Sequence, residues 1–292
     1  MSGASIADGR LGLMLTELRL PTIKRMVSDL CTQSDREGWP GHRLLESLLE
    51  HEISEREARR TERHRAESGL SPDKRLSSFD FNAVPCVSKA QVMTLAEGCE
   101  WLDRGANVLL FGPPGVGKSH LVCALGHALI DAGRRVLFTR CSELVQRLQA
   151  ARRDLRLPQE LARLDRFDLL ILDDLSYVRR DQAETSALFE LIAERYERKS
   201  LAVTANTPFS KWGEVFVDAA MTVAAVDRLV DHATILEMNV QSYRQRTAQA
   251  AAPARRASRP TTAPAKDRAN SHPPWTSHLP TGQACGQPLR GP

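Results

Sequence analysis

The chain has 292 residues, of which 42% are hydrophobic and 26% are charged, as is ordinary for a protein that folds around an apolar core. No stretch approaches the roughly 18 apolar residues of a membrane span, and the first ten residues lack the apolar segment of a secretory signal. These features argue against a membrane or secreted protein, so we expect a cytoplasmic location. The net charge of +4 does not identify a nucleic-acid partner, because residues 249–292 contribute six basic side chains and one acidic.

Residues 1–76 have the pattern of a small helical domain that binds DNA or a partner. Apolar side chains recur at three- and four-residue steps on both sides of Pro21. The stripe comprises Leu11, Met14, Leu15, Leu18, Ile23, Met26, Val27 and Leu30. The pattern leaves open whether this stripe forms the core of the domain or docks a partner.

A second helix of this region begins near His42 and ends at Gly69. Its apolar stripe consists of Leu44, Leu45, Leu48, Leu49 and Ile53. Farther along the helix, the spacing predicts ion pairs from Glu52 to Arg56 and from Glu55 to Arg59.

Residues 77–248 alternate between predicted strands and predicted helices. The strands are predicted at 107–111, 135–139, 168–173 and 201–206, and the helices at 120–132, from an N-cap at Ser142 onward, and at 183–198. Continuous apolar strands that alternate with helices indicate an α/β fold with a parallel sheet covered on both faces.

The tail, residues 249–292, contains eight of the sixteen prolines and almost no aliphatic side chains. We predict a disordered segment, because it cannot bury enough apolar surface to offset its ordering entropy. Its basic residues add weak affinity for DNA or remain solvated.

The strongest motif lies between the first predicted strand and the helix that follows it. It fits the phosphate-binding pattern G-x-x-x-x-G-K-[ST]. The motif reads Gly112, Pro113, Pro114, Gly115, Val116, Gly117, Lys118 and Ser119, followed by His120. Backbone N–H groups of such a loop surround phosphate oxygens, the lysine contacts the β- and γ-phosphates, and the serine hydroxyl binds Mg²⁺. The chain is therefore predicted to bind ATP with Mg²⁺.

Two carboxylates follow the strand Leu169–Leu172, which we expect to lie adjacent to the P-loop strand. Asp173 is predicted to hold Mg²⁺, and Asp174 to orient or deprotonate the attacking water. Asn206 ends the next predicted strand. Its amide contacts the γ-phosphate or the water, or it is an ordinary turn residue before Pro208.

These motifs, together with several other segments, resemble the IstB-like ATP-binding proteins, the helper ATPases of bacterial insertion sequences. The family belongs to the AAA+ class and is related to the helicase loader DnaC and, more distantly, to DnaA. The further segments are Phe79-Asp80-Phe81, Glu194-Arg195-Tyr196-Glu197-Arg198, Asn206 to Phe216, Asp227-Arg228-Leu229 and Ser242-Tyr243-Arg244. The resemblance covers roughly residues 11–246.

The resemblance implies roles that the residues alone do not assign. Asn206 matches the sensor-1 position, Arg228 the arginine presented to a neighbouring subunit's ATP, and Arg244 the sensor-2 arginine. Without the family, a surface ion pair is the favoured explanation for Arg228 and for Arg244. Asp174 stands where many AAA+ enzymes have Glu, and Ser176 where the family usually has Gly, so the resemblance does not establish fast hydrolysis.

Family members bind duplex DNA and act with a transposase. The arginine that they present to a neighbouring subunit's ATP implies, in addition, an ATP-dependent oligomer. Two basic clusters are equally good candidates for the DNA contact. One comprises Arg56, Arg59, Arg60 and Arg63, and the other Arg147, Arg152, Arg153 and Arg156. Glu residues between the first four also fit a solvated helix.

The leading hypothesis is an ATPase that assembles on target DNA with ATP and recruits and stimulates its transposase. A DnaC-like replicative helicase loader shares the same catalytic residues and is the first alternative. A small-molecule P-loop kinase and an ATP-gated DNA-binding switch with negligible turnover are the others.

Overall fold

The computed structural model describes residues 3–175, 182–208, 212, 218–240 and 242–243. Its sheet has five strands, all parallel, in the order β2-β3-β4-β1-β5. The strands are β1 (Val108–Phe111), β2 (Val136–Arg140), β3 (Leu169–Asp173), β4 (Ser200–Ala205) and β5 (Thr234–Glu237). The predicted α/β fold is confirmed. The sequence did not predict β5, in which Leu236 is buried but Ile235 and Glu237 are exposed.

The expectation that the acidic strand lies adjacent to the P-loop strand is wrong. β4 lies between them, with Val203 opposite Leu109 of β1 and Ala202 opposite Ile171 of β3. Chain order does not fix strand order in a parallel sheet, because a helical crossover can return the chain beside any strand.

Helices cover both faces of the sheet. On one side lie α4 (Lys89–Glu97), α5 (Glu100–Asp103) and α6 (Lys118–Asp131), and on the other α7 (Cys141–Arg153), α8 (Leu157–Leu164), α9 (Gln182–Arg195) and α10 (Ala219–Val230). Side chains of β1 alternate between the two cores. Val108 and Leu110 pack toward α6, whereas Leu109 and Phe111 pack toward α7 and α9. This alternation is the two-residue period of a strand buried on both faces.

Two predicted helix ends differ from the structure. Helix α7 follows β2 directly and begins at the buried Cys141, so Ser142 is inside the helix and is not its N-cap. Helix α9 ends at Arg195 rather than at residue 198. The buried Arg195 guanidinium donates hydrogen bonds to the carbonyl oxygens of Leu164, Phe167 and Ser200, each at 3.0 Å, and this anchors the end of α9.

Three helices form the N-terminal region: α1 (Gly3–Glu17), α2 (Pro21–Glu37) and α3 (Gly41–Ser68). Their small core consists of Leu15, Ile23, Leu30 and Leu48. The first turn of α2 has no side-chain cap of its own; Glu52 of α3 accepts from the backbone N–H groups of Thr22 and Ile23 at 2.9 and 3.1 Å instead. The predicted ion pairs Glu52–Arg56 and Glu55–Arg59 are present.

Helix α3 also packs against α6 and β2. Ion pairs join Arg65 to Asp131 and Glu67 to Arg135, each at 2.6 Å. All described residues belong to one compact unit. The domain boundary at 76/77 stays a prediction, and the tail from residue 249 lies outside the described residues. Among the described helices, none is long and apolar enough to cross a membrane.

Candidate nucleotide-binding site

The P-loop connects β1 to α6 at the carboxyl edge of the sheet. Lys118, the first residue of α6, is only 7% exposed. Its Nζ donates to the carbonyl oxygens of Gly112 and Pro113 at 2.6 and 2.9 Å and to Asn206 Oδ1 at 2.8 Å. The ammonium is thus held at the centre of the loop, at the N-terminus of a helix whose free N–H groups favour an anion.

Two glycines of the loop are required by their surroundings. At Gly112 a Cβ atom would lie 2.5 Å from the carbonyl oxygen of Met238, which follows β5. At Gly117 the φ of 107° is one that side-chain-bearing residues rarely adopt, and a Cβ would lie 3.3 Å from the Phe79 ring. Neighbouring segments therefore fix the loop closely on both sides.

A network of oxygen atoms links α6 to β3 and β4. Ser119 Oγ donates to Asp173, 2.8 and 3.0 Å from its two carboxylate oxygens. Thr204 Oγ1 donates to Asp173 Oδ1 at 2.7 Å and accepts from the backbone N–H of Asp174 at 2.9 Å. Thr204 was missed from the sequence. The sequence does contain a signal for it. Thr204 is a hydroxyl residue among apolar residues of the predicted strand, and it is two residues before Asn206, so both side chains lie on the same face.

Asn206 connects the lysine to the second carboxylate. Its Nδ2 donates to Asp174 Oδ1 at 2.8 Å, while its Oδ1 accepts from Lys118. Asp174 has a φ of 64°, uncommon for a residue with a side chain. The structure thus brings Lys118, Ser119, Asp173, Asp174 and Asn206 together at one edge.

Burial shifts the pKa values of two charged groups in this site, Lys118 and Asp174. Burial lowers the pKa of Lys118, and the carboxylates of Asp174 and Asp173 partly oppose that effect. Burial raises the pKa of Asp174, and the neighbouring Asp173 carboxylate raises it further. Both shifts follow from the cost of a charge in a poorly solvated place. A phosphate and a cation would relieve that cost, since each brings the opposite charge to one of the two groups.

Segments distant in sequence cover the loop. The Phe79 ring lies 5.4 Å from that of His120, and His120 Nε2 is 3.2 Å from both Ser78 Oγ and the Arg75 carbonyl oxygen. The backbone N–H of Tyr243 donates to the Gly115 carbonyl oxygen at 3.1 Å. The segments before β1 and after β5 thus both contact the nucleotide loop.

Arg228 lies at the opposite edge of the sheet. It is near the end of α10, and its carbonyl oxygen is 3.4 Å from the Nδ2 of Asn107, the residue before β1. Strand β1 separates Asn107 from the P-loop, a distance of about 13 Å at the usual rise per residue. Arg228 does not join the cluster around Lys118. Arg244 and Ser176 lie outside the described residues.

Comparisons with known proteins identify the family. The family described as IstB-like ATP binding protein matches residues 13–251. An insertion sequence ATP-binding protein of Sinorhizobium fredii is 63% identical over 85% of this chain and 83% of its own length. The ATP-binding protein of insertion sequence IS21 from Pseudomonas aeruginosa is 36% identical over 80% and 88%. AMPPCP-bound DnaA from Aquifex aeolicus shares the fold, with a TM-score of 0.50 and 16% identity over 64% of this chain and 57% of DnaA.

The match of the family to most of the chain agrees with the P-loop and with the carboxylates placed beside it. This chain belongs to the IstB-like ATP-binding family, is an ATPase, and shares its fold with DnaA.

Proposed function

We propose that this protein is the helper ATPase of an insertion sequence. It assembles on duplex DNA when ATP is bound, recruits and stimulates its transposase, and disassembles on hydrolysis. The names of its relatives support the link to insertion sequences. The family and the hydrogen-bonded P-loop cluster support ATP as the ligand that controls assembly.

The observation that carries the proposal is the position of Arg228. It lies at the edge of the sheet opposite its own P-loop, which supports a role at the ATP of a neighbouring copy and not at its own. A guanidinium there neutralises charge that develops on the transferring phosphoryl group. ATP therefore reports assembly as well as supplying energy.

Within one subunit, the remaining roles follow from the contacts of the cluster. Lys118 exchanges its carbonyl partners for the β- and γ-phosphates, and Asn206 and Asp174 orient the attacking water. Ser119 and Asp173 supply hydroxyl and carboxylate oxygens, the donors that Mg²⁺ prefers, and they already lie in contact. Mg²⁺ held there would neutralise phosphate charge. Arg244 is proposed as the sensor-2 arginine on the resemblance alone.

The structure divides each basic cluster into paired and unpaired arginines. On α3, Arg56 and Arg59 are paired with glutamates, whereas Arg60 and Arg63 are exposed and have no ion pair among the described residues. In the second cluster, Arg147 pairs with Glu160 and Arg152 with Glu190, and the exposed arginines without a pair in the described part of the chain are Arg153 and Arg156. We propose the unpaired arginines as the phosphate contacts.

Gel filtration of the intact protein with duplex DNA, with and without ATP, tests the proposal. ATP is expected to shift protein and DNA together into a larger complex, and Lys118→Ala serves as the control that should not respond. If ATP changes neither DNA binding nor oligomeric size, the proposal fails.

Partner identity is tested separately. The ATP-bound complex should retain the transposase encoded beside it and not the replicative helicase. Retention of the helicase alone would favour the loader alternative.

The salt dependence of DNA affinity distinguishes the two candidate DNA-binding surfaces. Replacing Arg60 and Arg63 by Ala, or Arg153 and Arg156 by Ala, should lower the slope of log affinity against log salt by about one per lost phosphate contact. Arg56→Ala with Arg59→Ala is the matched control. If that control has the same effect, binding depends on net charge and not on the unpaired arginines.

A further inference from the structure

Arg228 has an environment unlike that of the other arginines around it. Its Cζ lies 5.3 Å from the ring centroid of Phe189 and 6.0 Å from that of Tyr196. Its Nη1 donates to the Ala224 carbonyl oxygen at 2.9 Å, one turn earlier in α10. Among the described residues, no carboxylate forms an ion pair with it. By contrast, Arg198, three residues after the end of α9, pairs with both Asp165 and Glu194.

The two rings belong to one surface of α9. Phe189 and Tyr196 are seven residues apart, two helical turns, and the Tyr196 N–H continues the helical pattern by donating to Ile192 at 3.0 Å. Both side chains are half-buried. Aromatic faces attract a cation without supplying a formal negative charge, so they restrain the guanidinium while its charge stays available.

Asp231 is the residue that follows α10, three residues after Arg228. Its Oδ2 accepts a hydrogen bond of 2.5 Å from the Tyr196 hydroxyl, and its Oδ1 lies 3.6 Å from His232 Nε2. The bond to Asp231 raises the pKa of Tyr196 to about 12, so the hydroxyl remains a donor at neutral pH. Tyr196 thus holds the carboxylate in a bond that does not involve Arg228.

We propose that Phe189, Tyr196 and Asp231 are positioning residues that hold the Arg228 guanidinium without a counter-ion, ready for the γ-phosphate of a neighbouring copy's ATP. The inference rests on the proposed role of Arg228 between subunits. Phe189 and Tyr196 restrain the cation, and the Tyr196 hydroxyl prevents Asp231 from neutralising it.

Mixing of two inactive variants tests the inference. Lys118→Ala cannot bind ATP but presents an intact Arg228, whereas Arg228→Ala binds ATP but lacks the arginine. Their mixture should recover ATP turnover, because one kind of interface is then complete. If it does not, the role of Arg228 between subunits fails, and this inference fails with it.

Phe189→Leu is then introduced into one or the other of the two mixed chains. Phe189→Leu in the Lys118→Ala chain should lower the recovered turnover about tenfold with an unchanged KM for ATP, because the guanidinium is no longer held in place. Phe189→Leu in the Arg228→Ala chain should have no effect. If both placements lower turnover equally, Phe189 supports folding and not Arg228. If neither does, the ring has no role.

A rescue experiment isolates the hydroxyl. Tyr196→Phe keeps the ring but releases Asp231, so turnover should fall about fivefold as the carboxylate pairs with Arg228. Adding Asp231→Asn should restore it, since the amide carries no charge. The control for Phe189→Leu is Phe167→Leu, which removes the similar contact between Arg135 and the Phe167 ring at 5.0 Å. If the double variant is no faster than Tyr196→Phe, the proposed function of the hydroxyl is wrong.

Discussion

At the carboxyl edge of the sheet the polar side chains bind one another, whereas at the amino edge Arg228 lies over two aromatic rings with no carboxylate paired to it among the described residues. The first edge is a network within one chain, in which Lys118, Asn206 and Asp174 are already connected. The second holds a cation whose charge the described residues leave available. The candidate nucleotide site is thus formed within one chain, whereas we propose that hydrolysis requires a neighbouring copy.

The largest expected effect is the loss of ATP turnover when Arg228 is removed. Arg228→Ala is expected to lower ATP turnover about 10³-fold, the lower end for such an arginine, with little change in ATP affinity. Steady-state turnover and binding of a fluorescent ATP analogue measure the two effects. Arg198→Ala, three residues after the end of α9, is the control and should leave turnover within about twofold. Unchanged turnover in Arg228→Ala would place all of the chemistry within one subunit.

The second carboxylate tests the opposite edge. Asp174→Asn keeps the side-chain size and should lower the single-turnover rate about 10²-fold, because an amide does not accept the proton of the attacking water. ATP binding should persist, since Lys118 and Ser119 of the phosphate-binding loop are unchanged. Asp154→Asn, in the exposed turn after α7, is the matched control. Equal rates for the intact protein and Asp174→Asn would remove Asp174 from catalysis and favour an ATP-gated switch.

Replacing Thr204 tests how much its hydroxyl stabilises the hydrogen-bonded network at the carboxyl edge. Thr204→Val has the same shape but leaves the partly buried Asp174 N–H without its acceptor and removes one donor to Asp173. The free energy of unfolding in urea should fall by about 1–3 kcal/mol. Thr234→Val, at the start of β5, should change it by less than about 0.5 kcal/mol. Equal losses at the two positions would show that the strand tolerates neither substitution, and that the network is not special.

The smallest effect concerns two histidines away from both edges. Burial lowers the pKa of His64 on α3 and of His127 on α6 below 6.5, with nearby arginines adding to the effect. The folded state therefore binds fewer protons than the unfolded state, so the free energy of unfolding should be complete above about pH 6.5 and fall as the pH drops through the folded pKa values.

Urea unfolding at about pH 7.5 and about pH 5 measures this dependence. The double variant His64→Gln with His127→Gln should show a smaller loss on acidification, whereas His42→Gln, at an exposed position, should behave as the intact protein does. An unchanged loss in the double variant would assign the acid sensitivity to other groups.

The sequence alone was sufficient for the parts of the site that are contiguous in the chain. The glycines, Lys118 and Ser119 act within one turn between a strand and a helix, and Asp173 ends an apolar run. The sequence was misleading where the answer depended on which strand lies beside which. It placed the acidic strand next to β1, and it did not identify Thr204, which bonds the Asp173 carboxylate and the Asp174 backbone N–H from the intervening β4.

The phosphate-binding loop, the carboxylate strand after it and the parallel α/β fold could be predicted from the sequence, because their signals are local. The position of Arg228 could not: it lies across the sheet from its own P-loop, over Phe189 and Tyr196, with Asp231 bound to the tyrosine hydroxyl. These residues meet only because α9 and α10, which are joined through a strand, pack on the same face of the sheet.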